Sequence, residues 1–496
     1  MGTFTGMNGS RWRRPAAALL CVALLTSACS TSAIDGKPVT SLVGKASPDK
    51  PNIVFVLTDD MSLNLISHMP NVQALRKAGT TMSKYYVVDS LCCPSRTAIF
   101  TGQYAHNNGV FTNGGSDGGY ATYNRKGNQQ KAFAVPLHAA GYRTGFMGKY
   151  LNGYEPTNPA PAGWDDWAVT GNGYKEFNYT LNDNGTQRRY GHAAGDYLTD
   201  VVSKKGGQFI DSAASNKQPF MLEIATFAPH GPYTPAPRYA NSDTDVTYPR
   251  TPGYDKIPTD PPAWLADRKP LKAKQQNRID DAFRQRVRAD RAVDDLLKHL
   301  QDRLKANGVA GNTYFVFSSD NGYHMGENRL MPGKQTAFDT DINVPLVVSG
   351  PGVPAGRTVD KLATNIDLAP TFLNLTATPH SKRADGVSLA SLWHGHQPAD
   401  WQDAVLVEHH GPNTAADDPD KATTTTGKPP TYAAVRTKDA LYVRYGNGAQ
   451  EYYDTSRDPY QLHNIAKQGV PPQLPKTLSA LQNCKGATQC QAAARL

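Results

Sequence analysis

The sequence predicts an α/β fold: a large, mostly parallel sheet sandwiched by helices, with a small C-terminal antiparallel sheet and a closing helix. Three observations lead there. Short, continuous apolar runs rich in β-branched residues alternate with segments of helical periodicity, as in sheets buried on both faces. Several of these runs stop abruptly at carboxylates, an amide or a histidine. From about Ala404 the runs become shorter and are separated only by turn residues, as in an antiparallel meander.

The elements follow in order. Arg11, Arg13 and Arg14 form a basic region, and Ala16 to Leu25 a short apolar run, too short for a stable span. Thr26-Ser27-Ala28-Cys29 then reads as a bacterial-type lipobox, so residues 1–29 are expected to be an export signal, with Cys29 lipidated or the chain simply secreted. Residues 30–49, rich in Ser, Thr, Lys and Pro, read as a flexible tether. A catalytic domain is expected over 50–400 and a smaller subdomain over 401–496. Pro51 to Leu57 reads as a buried strand ending at Thr58-Asp59-Asp60. Phe220 to Phe227, Thr313 to Phe317 and Val344 to Val348 read likewise, the first two followed by Pro229-His230-Gly231 and Ser319-Asp320-Asn321-Gly322. A helix is expected from about Ile279 to Ala306, where Phe283, Val287, Val293, Leu296, Leu297, Leu300 and Leu304 recur at helical spacing and Gly308 follows. Val405 to Val407, Tyr432 to Arg436, Ala440 to Arg444 and Glu451 to Asp454 read as the small sheet, Pro475 to Asn483 as the closing helix, and 412–430 as an exposed loop.

Composition excludes some functions. The net charge is +9, and losing the three leader arginines leaves about +6. That field favours anionic substrates, but no basic block of the nucleic-acid-binding kind is present. Of the six cysteines, Cys21 and Cys29 fall in the export segment, Cys92 and Cys93 are adjacent, and Cys484 and Cys490 form the disulfide candidate of an exported chain.

The chemistry concentrates at strand ends, where ligands gather in open α/β sheets. Asp59 and Asp60 would diverge in a regular strand, so they can serve one site only if the strand breaks there. With Asp320 and Asn321 they give three carboxylates and an amide oxygen, a set suited to a hard cation, Ca²⁺ or Mg²⁺; no Cys/His spacing for zinc competes.

Leu91-Cys92-Cys93-Pro94-Ser95-Arg96, running on to Thr101-Gly102, resembles the signature of the formylglycine-dependent sulfatases. In that family the first Cys of the motif is oxidised to an aldehyde, and the aldehyde hydrate is the nucleophile. By this register Cys92 is converted by a formylglycine-generating enzyme, and Cys93 takes the free position. Asn52 to Asp60, Gly148 to Asn152, Ala228 to Tyr233, Ser319 to His324, Leu330 to Asp341 and Tyr453 to Asn464 also resemble family motifs, so the likeness covers about residues 50–470. Leu151 stands where many arylsulfatases have a His, and Gly148-Lys149-Tyr150-Leu151-Asn152 is instead similar to the N-acetylglucosamine-6-sulfatase and extracellular heparan-type branch. A substrate hydrogen bond is expected of Asn152.

The resemblance implies an alkaline-phosphatase-like fold and a division of roles. Asp59, Asp60, Asp320, Asn321 and converted Cys92 would ligate the metal. Arg96 would hold the formylglycine hydrate and the metal carboxylates in place, Lys149 and Lys334 would bind sulfate oxygens, and His230 would contact the sulfate and the ester oxygen and protonate the leaving alcohol. The implied substrates are sulfated sugars, with aryl sulfates as artificial ones. Two other readings stay open: a phosphonate monoester or phosphodiester hydrolase on the same fold, and a catalytically silent glycan-binding lipoprotein. His106 and His324 are expected to be structural or rim residues.

Overall fold

The computed structural model describes residues 50–379, 383–413 and 418–496. The expected export signal, lipobox and tether lie outside these residues. Ten strands make the main sheet. In spatial order they are β11 (Arg357–Val359), β2 (Thr80–Met82), β10 (Leu346–Ser349), β9 (Thr313–Ser319), β1 (Asn52–Thr58), β8 (Phe220–Ala225), β4 (Arg143–Lys149), β5 (Asp166–Thr170), β6 (Thr180–Asp183) and β7 (Thr186–Arg189).

The five central strands, β9 through β5, are mutually parallel. Antiparallel pairings appear toward the edges, where β10 joins β9 and β6 joins β5. The run expected from Val344 starts as a strand only at Leu346, because Pro345 has no N–H to give the ladder; its carbonyl accepts a hydrogen bond from Ser318 Oγ at 2.8 Å. Alternate residues of β1 serve two cores. Ile53, Phe55 and Leu57 pack with Ile99, Phe100 and Phe372 on one face. Val54 and Val56 pack with Phe209, Val293, Leu297 and Leu300 on the other. A strand buried on both faces has no polar alternation, which is why β1 reads as a continuous apolar run.

The long helix spans Ala273–Ala306 and buries all seven periodic residues. It begins six residues before the expected Ile279, since its first turns carry only polar, solvent-facing residues and show no apolar period. Gln275 Oε1 accepts a hydrogen bond from Lys272 N there.

The C-terminal sheet is the antiparallel meander β13 (Ala404–His409), β14 (Tyr432–Thr437), β15 (Ala440–Tyr445) and β16 (Gln450–Asp454). Leu406, Val435 and Tyr442 pack under Leu474, Leu478 and Leu481 of the closing helix Gln473–Gln482, while Val405, Val407 and Val443 join the core of the main sheet. The described residues form one compact unit. Cys484 and Cys490 are joined in a disulfide.

One core residue makes the fold sensitive to pH. Glu223, inside β8, is fully buried, and among the described residues neither of its carboxyl oxygens has a hydrogen-bond partner. Burial pushes this carboxyl up to about 8, against the pull of Arg96. Between its ordinary 4.5 and 8 the folded chain keeps a proton that the unfolded chain has released, so stability falls as pH rises through this window. Glu223→Gln removes that proton exchange. Urea unfolding at pH 5 and pH 8.5 should show the parent losing on the order of 4 kcal/mol more than the variant across the window. Identical pH dependence in the two proteins would refute this account of Glu223.

Candidate active site

The site forms where β1, β4, β8 and β9 end. β1 stops at Thr58, and Asp60 takes a left-handed backbone conformation with φ of 67°. This break turns both adjacent carboxylates into one pocket. The corner is pinned from outside, because the buried Arg286 of the long helix donates through Nη2 to the Asp60 carbonyl. Its guanidinium lies 4.3 Å from the centre of the Tyr323 ring.

Cys92 opens a helix, Cys92–Thr101, in which every residue is buried. Pro94 is tolerated in its first turn, where no intrahelical N–H bond is lost. Cys92 and Arg96, four residues apart, lie one turn apart on the same face. The helix ends at Gly102, whose φ of 66° and close neighbours, Ala384 Cβ and the Ile366 carbonyl, leave no place for a side chain. At the end of β4, a Cβ on Gly148 would lie 1.9 Å from the Ala225 carbonyl oxygen, so Gly lets the strand deliver Lys149 to the site. Lys334 follows a short bridge in which His324 and Gly333 exchange backbone hydrogen bonds of 2.9 and 3.1 Å.

The structure brings every expected residue together. Arg96 Nε donates to Asp320 Oδ2 at 2.8 Å, and its Nη1 donates to the Lys149 carbonyl at 2.6 Å. Lys149 Nζ pairs with Asp59 Oδ2. Lys334 Nζ lies 2.5 Å from Asp60 Oδ1 and 2.7 Å from Cys92 Sγ. His230 Nε2 is 3.6 Å from Asp60 Oδ2. Asp320 Oδ1 accepts from the backbone N–H groups of Asp60 and Asn321.

Charges are strongly shifted. Burial opposes ionisation of Asp59, but Lys149, His230 and Arg96 hold its carboxyl below the usual range. Burial and then Asp59 raise Asp320 to about 6, against Arg96. Burial works against both lysine charges, yet Asp59 keeps Lys149, and Asp420 with Asp60 keep Lys334, well above the ordinary ammonium value. Burial, then Asp420 and Asp59, push the Cys92 thiol far up, so as a thiol it is a poor nucleophile.

The donors suit a cation. Asp59, Asp60, Cys92 and His230 each offer a ligand atom within 4.8 Å of one another. The amide oxygen of Asn321, fully buried, has no hydrogen-bond partner among the described residues, while its Nδ2 donates to Asp60 Oδ1 and the Gly322 carbonyl. An orphaned buried oxygen beside three carboxylates is the environment a hard divalent ion satisfies.

Residues outside the expected set also take part. Asp420 belongs to the stretch expected to be an exposed loop. Its side chain is instead 5% exposed and reaches His230 Nε2 at 2.9 Å and Lys334 Nζ at 3.1 Å. Nothing in a run of Thr, Lys, Asp and Pro marks one carboxylate as buried. Tyr174 packs against His230 at 4.6 Å between ring centres, and lies 4.9 Å from Lys149 Nζ. Asn152 Nδ2 lies 3.4 Å from the Tyr174 hydroxyl, and its buried Oδ1 has no partner. His324 and His106 are structural: His324 Nδ1 is bound to Asp341 at 3.0 Å, and His106 Nδ1 to Glu408 at 2.8 Å. Trp164 and Trp167 pack in the aromatic core.

Comparison with known proteins places this geometry. A family model described as Sulfatase matches residues 51–378, and one described as N-sulphoglucosamine sulphohydrolase, C-terminal, matches residues 326–484. The chain is 36% identical over 474 residues to the N-acetylglucosamine-6-sulfatase of Capra hircus, covering 88% of this chain and 84% of the relative. The protein of the same name from Homo sapiens is also 36% identical, with 88% and 86% covered. A structure solved in complex with its substrate D-glucosamine-2-N,6-O-disulfate superposes with a TM-score of 0.73 at 22% identity, over 90% of this chain and 99% of that one.

Proposed function

Since this chain belongs to the sulfatase family, we propose that it hydrolyses sulfate monoesters of sulfated sugars, 6-sulfated N-acetylglucosamine first among them, with aryl sulfates as artificial substrates. The observation that carries this reading is the cage around Cys92: Lys334 at 2.7 Å from Sγ, with Lys149 on Asp59, Arg96 on Asp320 and His230 near Asp60. A cationic cage around a buried nucleophile position suits a tetrahedral oxyanion and its transition state.

Asp59, Asp60, Asp320 and Asn321 would hold a hard divalent cation, Ca²⁺ or Mg²⁺, as an all-oxygen donor set suits. A cation held there supplies Lewis-acid polarisation of the sulfate and an acidified hydroxyl. The chain's own groups do the rest. Converted to an aldehyde hydrate, Cys92 presents two hydroxyls. One attacks sulfur as the sugar oxygen leaves; the other then gives up its proton, the carbon–oxygen bond to sulfate breaks, and the aldehyde returns to be rehydrated. Lys149 and Lys334 release carboxylates and take sulfate oxygens. Arg96, braced on Asp320 and the Lys149 carbonyl, fixes the helix turn that carries Cys92.

His230 holds a proton at Nε2 for the leaving oxygen. Burial disfavours its charge, but Asp60, Asp420 and Asp59 raise it above the ordinary imidazole value, so the proton is available near neutrality. Its Nδ1 is 2.7 Å from the Gly231 carbonyl, which fixes the tautomer. His230→Ala should lower kcat about 10²- to 10⁴-fold for sugar sulfates and less for aryl sulfates with good leaving groups. A leaving-group series checks this, and equal losses across the series would remove His230 from the acid role.

The deciding experiment is kcat/KM on 6-sulfated N-acetylglucosamine, an aryl sulfate and an aryl phosphodiester, with protein whose Cys92 is shown by mass spectrometry to be aldehyde. Preference for the phosphodiester would favour a phosphodiester hydrolase. An unmodified thiol in a host with the converting enzyme would favour a glycan-binding protein. We further propose that the protein is exported, either secreted or lipid-anchored through Cys29. Among the described residues no helix is long and apolar enough to cross a membrane.

A further inference from the structure

Asp420 stands apart from the other carboxylates of the site. Asp59, Asp60 and Asp320 come from strand ends and face the cation donors. Asp420 comes from outside the sheet, between β13 and β14, and meets the same Lys334, His230 and Cys92 that face Asp60 and Asp59. Its Oδ1 accepts from His230 Nε2 at 2.9 Å and pairs with Lys334 Nζ at 3.1 Å. Its Oδ2 lies 3.4 Å from Cys92 Sγ and accepts from Asn113 Nδ2 at 3.0 Å. The backbone around it is anchored: the Asp420 carbonyl accepts from Gln335 Nε2 at 2.6 Å, and its N–H donates to Asp418 Oδ1 at 2.9 Å. Asn113 ties this stretch to the motif helix, since its Oδ1 accepts from the Cys93 N–H.

His230 and Lys334 are the groups to which the sulfate-binding role was given above, and the inference rests on that reading. Two anions cannot share one histidine proton and one ammonium group in a buried cage, because like charges at contact distance repel strongly. We propose that the Asp420 carboxylate is an internal competitor for sulfate: it occupies the oxyanion position of the substrate-free enzyme, and an incoming sulfate ester must displace it.

The apparent affinity for sulfate then equals the intrinsic affinity multiplied by the fraction of molecules in which Asp420 has withdrawn. Such a residue determines which anions bind. Weak or singly contacting anions fail to displace it, whereas an ester whose sugar also engages the rim succeeds. It also limits retention of inorganic sulfate, the product, because the tethered carboxylate is always present to retake its partners.

The test uses the full-length, aldehyde-bearing protein with Ca²⁺. Turnover of 6-sulfated N-acetylglucosamine and of an aryl sulfate by the parent is measured first; if neither is turned over, the sulfatase reading itself fails. Given turnover, inhibition by inorganic sulfate is measured for the parent, Asp420→Asn and Asp420→Ala. Calorimetric titration of sulfate into the same three backgrounds carrying Cys92→Ala gives a readout independent of catalysis. The asparagine keeps the shape and most hydrogen bonds of Asp420, so folding is retained. Sulfate should bind about tenfold more tightly in both variants, corresponding to a carboxylate in place about nine-tenths of the time. Sulfate affinity unchanged or weakened in both variants would overturn the proposal and make Asp420 a support for His230 instead.

Discussion

Cys92→Ser should release about one equivalent of alcohol from an aryl sulfate and then stop. A serine hydroxyl in this cage meets the same lysines, arginine and histidine, so attack on sulfur remains available. The resulting ester has no second hydroxyl on its carbon, so carbon–oxygen cleavage has no proton to lose and no carbonyl to form. Steady turnover should fall by 10³-fold or more, on the scale of losing a nucleophile that acts as a unit with its neighbours. Intact-mass analysis after incubation should show one added sulfo group on the variant and none on the parent. Cys93→Ala is the control. Burial pushes the Cys93 thiol up to about 12, and the side chain belongs to the aromatic core side of the helix, so turnover should stay within about threefold of the parent. Multiple-turnover sulfate release by Cys92→Ser near the parent rate would refute the two-hydroxyl mechanism.

Removing divalent cations should be nearly as damaging, for two reasons that act together. Asp59, Asp60 and Asp320 need positive charge beside them, and in the structure Lys149 provides it for Asp59, Lys334 for Asp60 and Arg96 for Asp320, all at contact distance. Without the cation these two ammonium groups are held by carboxylates and are not free for sulfate. The electrophilic pull on the sulfate is lost as well. Exhaustive chelation should therefore lower kcat/KM by about 10³-fold or more, as each lost oxyanion donor costs about 10²- to 10³-fold. The protein should remain folded, since the lysines and Arg96 still neutralise the carboxylates. Calcium at about 100 times its Kd should raise stability by about 2.7 kcal/mol, readable as a rise in Tm, and should restore activity. Full activity after chelation, with no shift in Tm on adding calcium, would rule out the oxygen site as a functional metal centre.

These expectations rest on residues that were legible to different degrees. Asp59 and Asp60 stood out because two adjacent carboxylates after an apolar run require the strand to break, and the left-handed Asp60 is that break. The Cys92 to Gly102 motif was legible because its residues are adjacent in the chain, but that it folds as the helix Cys92–Thr101 was seen only in the structure. The short strands at and next to the edges, β2, β11, β6 and β7, carried no such signal: three or four residues define no period, and β7 is exposed throughout. Asp420 was hidden for a different reason. Its burial is created by Asn113, His230, Lys334 and Gln335, from segments far away in the chain, and no neighbouring residue records that closure. The unpartnered Asn321 oxygen was visible only in three dimensions, since sequence shows an amide but not which of its atoms lacks company.

The motif helix has one more property, which concerns time. Cys92 is 0% exposed, and its helix is sealed from one side by β1 and from the other by Leu406 and Val435, which share a core with Ala98. Those last two residues are made when more than four-fifths of the chain has already been synthesised. Until then the Cys92 segment lacks its outer wall and stays open to a modifying enzyme; afterwards no protein could reach the thiol without unfolding the core. Under the proposed conversion of Cys92, the fraction of molecules that become active would be set before this wall closes, by a race between chain completion and oxidation. A preparation that misses that window would be folded, stable and permanently inert.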